Sequence, residues 1–314
     1  MKQFKKAFEK IRDANHIVII SHRHPDADTI GANIFMRIVL ENNFQKKVTS
    51  VCADPLPETL LFMKGNYVIQ SEMPKDYDCI ITVDCSTKEQ TKFPNEMDGK
   101  ITVINIDHHA TNTMYGDINI VDPHAASTTE MLYTIFENFE LKYSRHAATC
   151  LLAGIYNDTG SFMHSNTQKN TYIAAGELQS KGADITTIVK NLFKTQSIEQ
   201  LKLWGKVLSN ARLNGKGTLV SKISTDEFDE TNASPRELAG VISYLNCVPE
   251  SKMTMLLSED LNGNVQGSMR AGNEDIDVSS LCEQFGGGGH KKAAGFTIPG
   301  KIVSQEFWRI DSPS

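Results

Sequence analysis

The chain has 314 residues, 40% hydrophobic and 22% charged, which at roughly 100–200 residues per domain suggests two domains with real cores and excludes a disordered tail or a disulfide miniprotein. Its longest early aliphatic stretch, Ile17 to Ile20, falls far short of the ~18 residues that span a bilayer or the ~7–15 of a signal-peptide core, so a soluble cytoplasmic protein with no membrane partner is expected. The net charge of -6, from 32 basic and 38 acidic residues, gives no general field for gripping long duplex DNA, and six scattered cysteines without a C-x-x-C pair read as small core residues in a reducing compartment.

In chain order, Phe4, Phe8 and Ile11 lie at helical spacing among lysines and predict a first helix with one core-facing side. His16 to His22 reads as a short buried strand, and after a turn at Pro25 the segment from Thr29 to Leu40 returns to a helical pattern. Further β-branched runs occupy Val48 to Cys52, Cys79 to Asp84 and Ile101 to Ile106, and such runs separated by helical stretches point to a parallel sheet covered on both faces. Ser127-Thr-Thr-Glu130 has the form of a capping box and predicts a helix running to about Phe136. Helical patterns follow at about Arg145 to Tyr156 and Gln168 to Lys181, and a long one continues beyond Asp184 to about Leu213 without a strand pattern. The second half predicts strands at Thr218 to Ile223, Met253 to Leu257, Val265 to Arg270 and Gly295 to Ile298, with helices at Pro235 to Leu245 and Val278 to Phe285. The fold class is therefore α/β. Residues 1–186 form a parallel-sheet domain with helices on both faces, 187–213 a helical linker, and 214–314 a smaller α/β domain.

Eight of the nine histidines fall in the first 164 residues, several beside aspartates just after predicted strands. His22, Asp26 and Asp28 leave the first strand together, Asp84 follows another, Asp107-His108-His109 a third, and Asp158 stands where a predicted helix stops. A lone aspartate after a strand is usually a turn residue or a helix cap. Capping does not explain histidines and acids collecting at one edge of a sheet, which is where open α/β folds bind ligands. That many carboxylates brought together without cations would suffer repulsion and desolvation, and metal ions are the natural compensation. His16, His124, His146 and His164 read as structural or surface residues.

These motifs resemble the DHH phosphoesterase superfamily: His22-x-x-x-Asp26-x-Asp28, Asp84, Asp107-His108-His109 and Asp158-Thr-Gly match its four motifs, in order. Phe285-Gly-Gly-Gly-Gly-His290-Lys-Lys-Ala-Ala-Gly295 is similar to the glycine-rich signature of the DHH-associated C-terminal domain, and the resemblance covers nearly the whole chain. It implies one metal on His22, Asp26 and Asp84 and a second on Asp28, Asp84, His108 and Asp158, with Asp84 bridging. A shared carboxylate suits centres about 3.5–4 Å apart, and an oxygen and imidazole set without thiolate favours Mn²⁺, with Mg²⁺, Co²⁺ or Fe²⁺ as alternatives. The resemblance further implies a bridging water as nucleophile, His109 as phosphate ligand or general acid, and Asp107 as a residue that orients the motif.

In the C-terminal signature, Gly287, Gly288 and Gly289 let backbone N–H groups approach an anion, His290 adds charge beside them, and Arg270 matches the family's strand arginine. Ala271 departs from the serine frequent there. Asn112 and Ser165-Asn166-Thr167 also fall at recurring family positions. Length and domain content are similar to the stand-alone oligoribonuclease and pAp phosphatase branch. That implies short single-stranded RNA or dinucleotides as substrates, mononucleotide products, and a homodimer by analogy. The rivals are a cyclic di-AMP phosphodiesterase, an inorganic pyrophosphatase, and a non-catalytic nucleotide-binding regulator, the last disfavoured because every ligand position is filled.

Overall fold

The structure is a computed structural model that describes residues 2–99, 101–137, 143–273 and 275–303. The chain divides into two compact units, Met1–Thr195 and Gln196–Ser314.

The first unit runs α1 (Lys2–Asp13), β1 (His16–Ile20), α2 (Ala27–Phe44), β2 (Lys47–Val51), α3 (Leu61–Lys64), β3 (Ile69–Gln70), β4 (Cys79–Val83), β5 (Thr102–Asp107), β6 (Ile118–Val121), α4 (Thr128–Glu137), α5 (Arg145–Asp158), α6 (Lys169–Ser180) and α7 (Ile185–Leu192). Its six strands form one parallel sheet in the order β3-β2-β1-β4-β5-β6. β1 and β4 are buried along their whole length, which is why their sequences are mostly aliphatic and do not alternate with exposed polar residues. On one face Ile17, Ile19, Ile81 and Ile104 join Ile30, Phe35, Leu132, Leu151 and Ile155 of α2, α4 and α5; each such side chain is worth about 1.5–3 kcal/mol when fully buried. On the other face Val18, Ile20, Ile80 and Val103 are covered by Met73, Tyr77, Phe93 and Met97 from loops and a 3-10 turn.

α2 and α5 approach closely because glycines face their contact. A Cβ on Gly31 would sit 2.5 Å from the Cys150 carbonyl oxygen, and one on Gly154 would sit 2.6 Å from Asp28 Oδ1. Five of the six cysteines are buried and unpaired, Cys247 being exposed.

The second unit runs α8 (Ile198–Ser209), β7 (Arg212–Leu213), β8 (Thr218–Ile223), α9 (Thr225–Thr231), α10 (Val241–Leu245), β9 (Met253–Glu259), β10 (Asn264–Ala271), α11 (Val278–Glu283), β11 (Gly288–His290) and β12 (Ala293–Pro299). Its sheet is mixed, in the order β11-β12-β10-β9-β8-β7, with β8 and β9 parallel. Leu203, Val207, Leu219, Ile223 and Leu256 form one core, and Met269, Val278, Cys282 and Phe296 another.

The structure departs from the sequence reading at several places. The helical stretch expected to reach Leu213 stops at Leu192 and restarts at Ile198, where the Ser197 hydroxyl accepts a hydrogen bond from Gln200 N at 2.9 Å. Its last two residues pair with β8 as a strand. The expected helix from Pro235 to Leu245 is a 3-10 turn, Pro235–Leu238, and then α10, separated where Gly240 takes a left-handed φ of 91° that ends helical propagation. Among the described residues, no helix is long and apolar enough to cross a membrane.

Candidate metal centre

The strand order reverses direction between β1 and β4, so the loops after those strands diverge and leave a crevice at their carboxyl ends. All four acid and histidine clusters lie around it. Asp26 caps α2, its Oδ1 accepting from the backbone N–H groups of Asp28 and Thr29, both at 3.0 Å. Asp28 in the first turn is thereby turned inward and fully buried. Asp84 follows β4 at once with a left-handed φ of 60°, a conformation costly for a non-glycine residue, and it is 2% exposed. Asp107 ends β5 and is buried, and Asp158 ends α5.

The residues form overlapping groups able to hold cations: His22, Asp26 and Asp84; Asp28, His108 and Asp158; and Asp84, His108 and His109. His22 Nε2 lies 3.3 Å from Asp84 Oδ2 and 3.7 Å from Asp26 Oδ1, while its Nδ1 lies 2.6 Å from the Arg23 carbonyl oxygen. His108 Nε2 lies 3.3 Å from Asp158 Oδ2 and 3.6 Å from Asp84 Oδ1, and its Nδ1 is 3.3 Å from the Ala125 carbonyl oxygen. In both rings one nitrogen is committed to a backbone carbonyl and the other is aimed at carboxylates. That pattern fixes the tautomer of a metal-binding histidine.

Two observations fit a cation there. His108 Nε2 is buried without a hydrogen-bond partner, a polar atom whose desolvation needs compensation. Electrostatics point the same way. Burial together with the charges of Asp84 and Asp158 pushes the Asp28 carboxyl well above its ordinary range, and Asp84 is raised by its own burial against the opposing pull of His22. Burial would lower the two histidines, yet the surrounding carboxylates outweigh it and raise His22 to about 11 and His108 to about 10. The protein alone neutralises its acids with protons on histidines, and cations would displace those protons.

Asp107 and His109 make a different pair. Asp107 Oδ1 accepts from His109 Nδ1 at 2.8 Å and from His108 N at 2.9 Å, and its Oδ2 accepts from Asn112 Nδ2 at 2.6 Å. Burial opposes its charge, but these donors hold it below the ordinary carboxylate range, while the bond to Asp107 raises His109. His109 is 44% exposed on its side chain, so its other nitrogen is open to a ligand.

Sequence reasoning missed the residues that fix the acids. The N-terminus of α4 points at the cluster, Thr128 N donating to Asp28 Oδ2 at 2.7 Å and Thr129 N and Oγ1 to Asp28 Oδ1 at 2.9 and 2.5 Å. Thr128 Oγ1 donates to Asp84 Oδ1 at 3.0 Å. The helix start thus places two backbone donors and the positive end of its dipole against buried carboxylates. The signal was present in Ser127-Thr-Thr-Glu130, read as a cap alone. The Ser127 hydroxyl does accept from Glu130 N at 3.0 Å, but the Glu130 carboxylate turns to Thr171 Oγ1 at 2.9 Å and Ala126 N at 3.3 Å instead of closing the box. Asn166 Nδ2 holds the Asp158 and Ala126 carbonyls at 3.2 and 3.1 Å. Of the histidines set aside, His16 is buried and bonded to the Asp76 carbonyl and Thr49, and His164 Nδ1 faces the Asp158 carbonyl.

In the second unit, Arg270 is half-buried on β10, on the same side of the strand as Gln266 and Ser268, with Nη1 donating to the Met269 carbonyl at 2.9 Å. Gly288 and His290 lie exposed on β11. Gly287 and Gly289 have a packing reason of their own, since a Cβ on either would lie 2.1 Å from the Gly295 carbonyl oxygen or 2.6 Å from that of Ala293. Gly286, Gly287, Gln266, Ser268 and Thr297 border an open depression of about 390 Å³.

Residues 16–155 match the family described as DHH family, N-terminal domain, and residues 215–309 match the DHHA1 domain. Over 94% of its length the chain is 26% identical to 93% of a probable bifunctional oligoribonuclease and PAP phosphatase NrnA from Streptococcus mutans. It is 29% identical, again over 94%, to 87% of the bifunctional oligoribonuclease and PAP phosphatase NrnA from Thermus thermophilus. A cyclic-di-AMP phosphodiesterase GdpP from Geobacillus thermodenitrificans is 26% identical over 90% of this chain and 44% of its own. Among solved structures, an exopolyphosphatase-related protein from Bacteroides fragilis superposes with a TM-score of 0.81 at 23% identity, covering 96% of this chain and 92% of that one. Exonuclease RecJ bound to manganese superposes with a TM-score of 0.52 at 15% identity, over 95% and 89%. Both structural likenesses are of fold.

Proposed function

This chain belongs to the DHH family, as a hydrolase with a DHHA1 domain, and on that premise we propose that it hydrolyses short oligoribonucleotides such as pApA to mononucleotides, and removes the 3′-phosphate of pAp. The observation that carries the reading is the convergence of His22, Asp26, Asp28, Asp84, His108 and Asp158 at the sheet's switch point, with Asp84 shared between groups and His108 Nε2 left orphaned. His22, Asp26 and Asp84 would hold one divalent cation, and Asp28, Asp84, His108 and Asp158 a second. An oxygen and imidazole donor set without thiolate supports manganese, the ion named in the RecJ structure. Cations held there supply charge for the phosphoryl oxygens and acidity for the attacking water.

The chain's own residues do the rest. Thr128 and Thr129 keep the Asp28 and Asp84 oxygens in place through hydrogen bonds that leave no rotamer free to swing. Asp107 fixes the His109 ring through Nδ1, so the proton His109 offers is on Nε2, the nitrogen open to the substrate. From there it is donated to the departing 3′ oxygen, and Asp107 stabilises the imidazolium before the transfer. Arg270, with Gly287, Gly288, Gly289 and His290, would hold a phosphate of longer substrates, the arginine by its planar fork.

Homology to a cyclic-di-AMP phosphodiesterase supports a second reading, in which a cyclic dinucleotide is opened at the same centre. Turnover with manganese, compared among pApA, a five-nucleotide RNA, pAp and cyclic di-AMP at equal concentration, separates the two. Faster cleavage of the linear substrates supports the proposal, and dominant cleavage of cyclic di-AMP replaces it with the second reading. Inertness toward all four would refute both.

A further inference from the structure

Next to His22 the chain builds a group of basic side chains that the chemistry above does not use. Arg23 Nε, His24 Nδ1 and Lys92 Nζ lie 3.5, 3.6 and 3.8 Å from the carboxylate of Asp54, which is itself largely buried and also accepts from His24 N at 3.1 Å. Three basic groups share one carboxylate, so the carboxylate serves as a mount rather than as a matched partner. The backbone is fixed to suit: Arg23 N donates to the Gln90 carbonyl at 2.8 Å, and His24 and Lys92 hold left-handed φ values of 51° and 71° that ordinary side chains avoid. Such conformations collect at binding sites because the surroundings must sustain them. Beyond Nε, the Arg23 guanidinium has no partner among the described residues. His24 is 85% exposed on its side chain. His22, Arg23, His24, Glu89 and Gln90 border an open depression of about 380 Å³ that begins at the candidate metal ligand His22.

We infer that Arg23, His24 and Lys92 form a subsite for a single terminal phosphate of the substrate, the 5′-phosphate of a nucleotide whose 3′ side lies at the metal centre. The inference rests on the proposed function and extends it. The two substrates named for the relatives, short oligoribonucleotides and pAp, can both present a 5′-phosphate beyond the nucleoside being cut on its 3′ side, so one subsite serves both. A guanidinium with free terminal nitrogens grips a phosphate bidentately, and an ammonium adds a point charge. Glu89 on the same rim limits the surplus positive charge, which suits one phosphate and opposes a run of them.

The test compares kcat/KM for pApA and for ApA, which lacks the 5′-phosphate, in the wild type, Arg23→Gln and Lys92→Gln. The wild type should prefer pApA, and Arg23→Gln should reduce that preference by about tenfold or more, as loss of a charge-assisted hydrogen bond predicts. Lys92→Gln should reduce it less but in the same direction; being distant in sequence from His22, it controls for disturbance of the metal ligands. An unchanged pApA to ApA ratio in both variants, with active wild type, overturns the subsite and leaves the proposed function standing. A wild type that cleaves neither dinucleotide overturns the function and the subsite together.

Discussion

Replacing Gly154 by alanine should damage the metal centre from behind. In a helix interior this exchange ordinarily stabilises by about 1 kcal/mol. Here the new Cβ would lie 2.4 Å from Thr129 Oγ1 and 2.6 Å from Asp28 Oδ1, closer than side chains tolerate. Asp28 cannot yield freely, because Thr128 N, Thr129 N and Thr129 Oγ1 all donate to it. Displacing Oδ1 breaks one or both of its own hydrogen bonds, and at about 1.5–3 kcal/mol for each bond to a charged group the helical gain is outweighed, leaving a net loss of about 0.5–5 kcal/mol. Manganese affinity should fall by about 10–100-fold, as when a residue supporting a metal ligand is lost. Gly176 in α6 is the control, since nothing lies within 4 Å of its would-be Cβ and Gly176→Ala should stabilise by up to about 1 kcal/mol. Thermal unfolding with and without manganese, and calorimetric metal titration, measure both variants. Should Gly154→Ala behave like Gly176→Ala, with unchanged metal affinity, the placement of Asp28 at the centre is wrong.

Other consequences are testable in parallel. Arg270→Ala should raise KM, or lower kcat/KM, for a five-nucleotide RNA more than for pApA, read from steady-state kinetics of both; an equal effect on the two would place Arg270 elsewhere in function. Asn112→Ala removes a donor at 2.6 Å from Asp107 Oδ2 and should lower kcat more than it changes KM, by loosening the pair that orients His109. Asp78 accepts from Asn15 N and His16 N, tying the α1–β1 turn to the start of β4; partial burial would raise its carboxyl, but these bonds hold it below the usual range. Its folded pKa is depressed, so its contribution to stability is present above the unfolded value of about 3.9 and lost as pH falls through the folded one. The stability difference between wild type and Asp78→Asn should therefore be full near neutral pH and shrink below about pH 4, as followed by denaturant unfolding.

The parts of the fold legible in the sequence are those whose pattern has one physical cause. β1, β4 and β5 are buried on both faces, so they are rich in β-branched residues with no alternation of exposed polar ones, and the acids and histidines that follow them fall at the carboxyl ends that parallel topology gathers together. β3 and β6 are short edge strands, and β7 and β11 have only two and three residues; such segments are too short to show a period of their own, and the strands they pair with decide their conformation. Gly288 to His290 illustrates the point, because a glycine run carries no strand propensity and becomes a strand only against β12. At the site, ligand candidates were readable because histidines and aspartates recur together after several strands, a combination that turn and cap roles do not explain. Thr128, Thr129 and Gly154 were not, since a threonine pair at a helix start and a glycine within a small-residue helix have ordinary local explanations. Their importance comes from contacts spanning about a hundred positions in one case, as Thr128 and Thr129 show against Asp28.

Asp84 is the carboxylate common to the groups formed with His22 and Asp26 and with His108 and His109. Asparagine tolerates its left-handed backbone better than most residues, so Asp84→Asn removes the charge with little strain. Hydrolysis of pApA followed against manganese concentration, for the wild type and for Asp84→Asn, with EDTA as the metal-free reference, is the direct measurement. The wild type should be active with manganese and silent in EDTA, and the variant should be inactive at every manganese concentration while remaining folded. Near-normal turnover by Asp84→Asn, or full wild-type activity in EDTA, would show that hydrolysis does not depend on a metal held by Asp84.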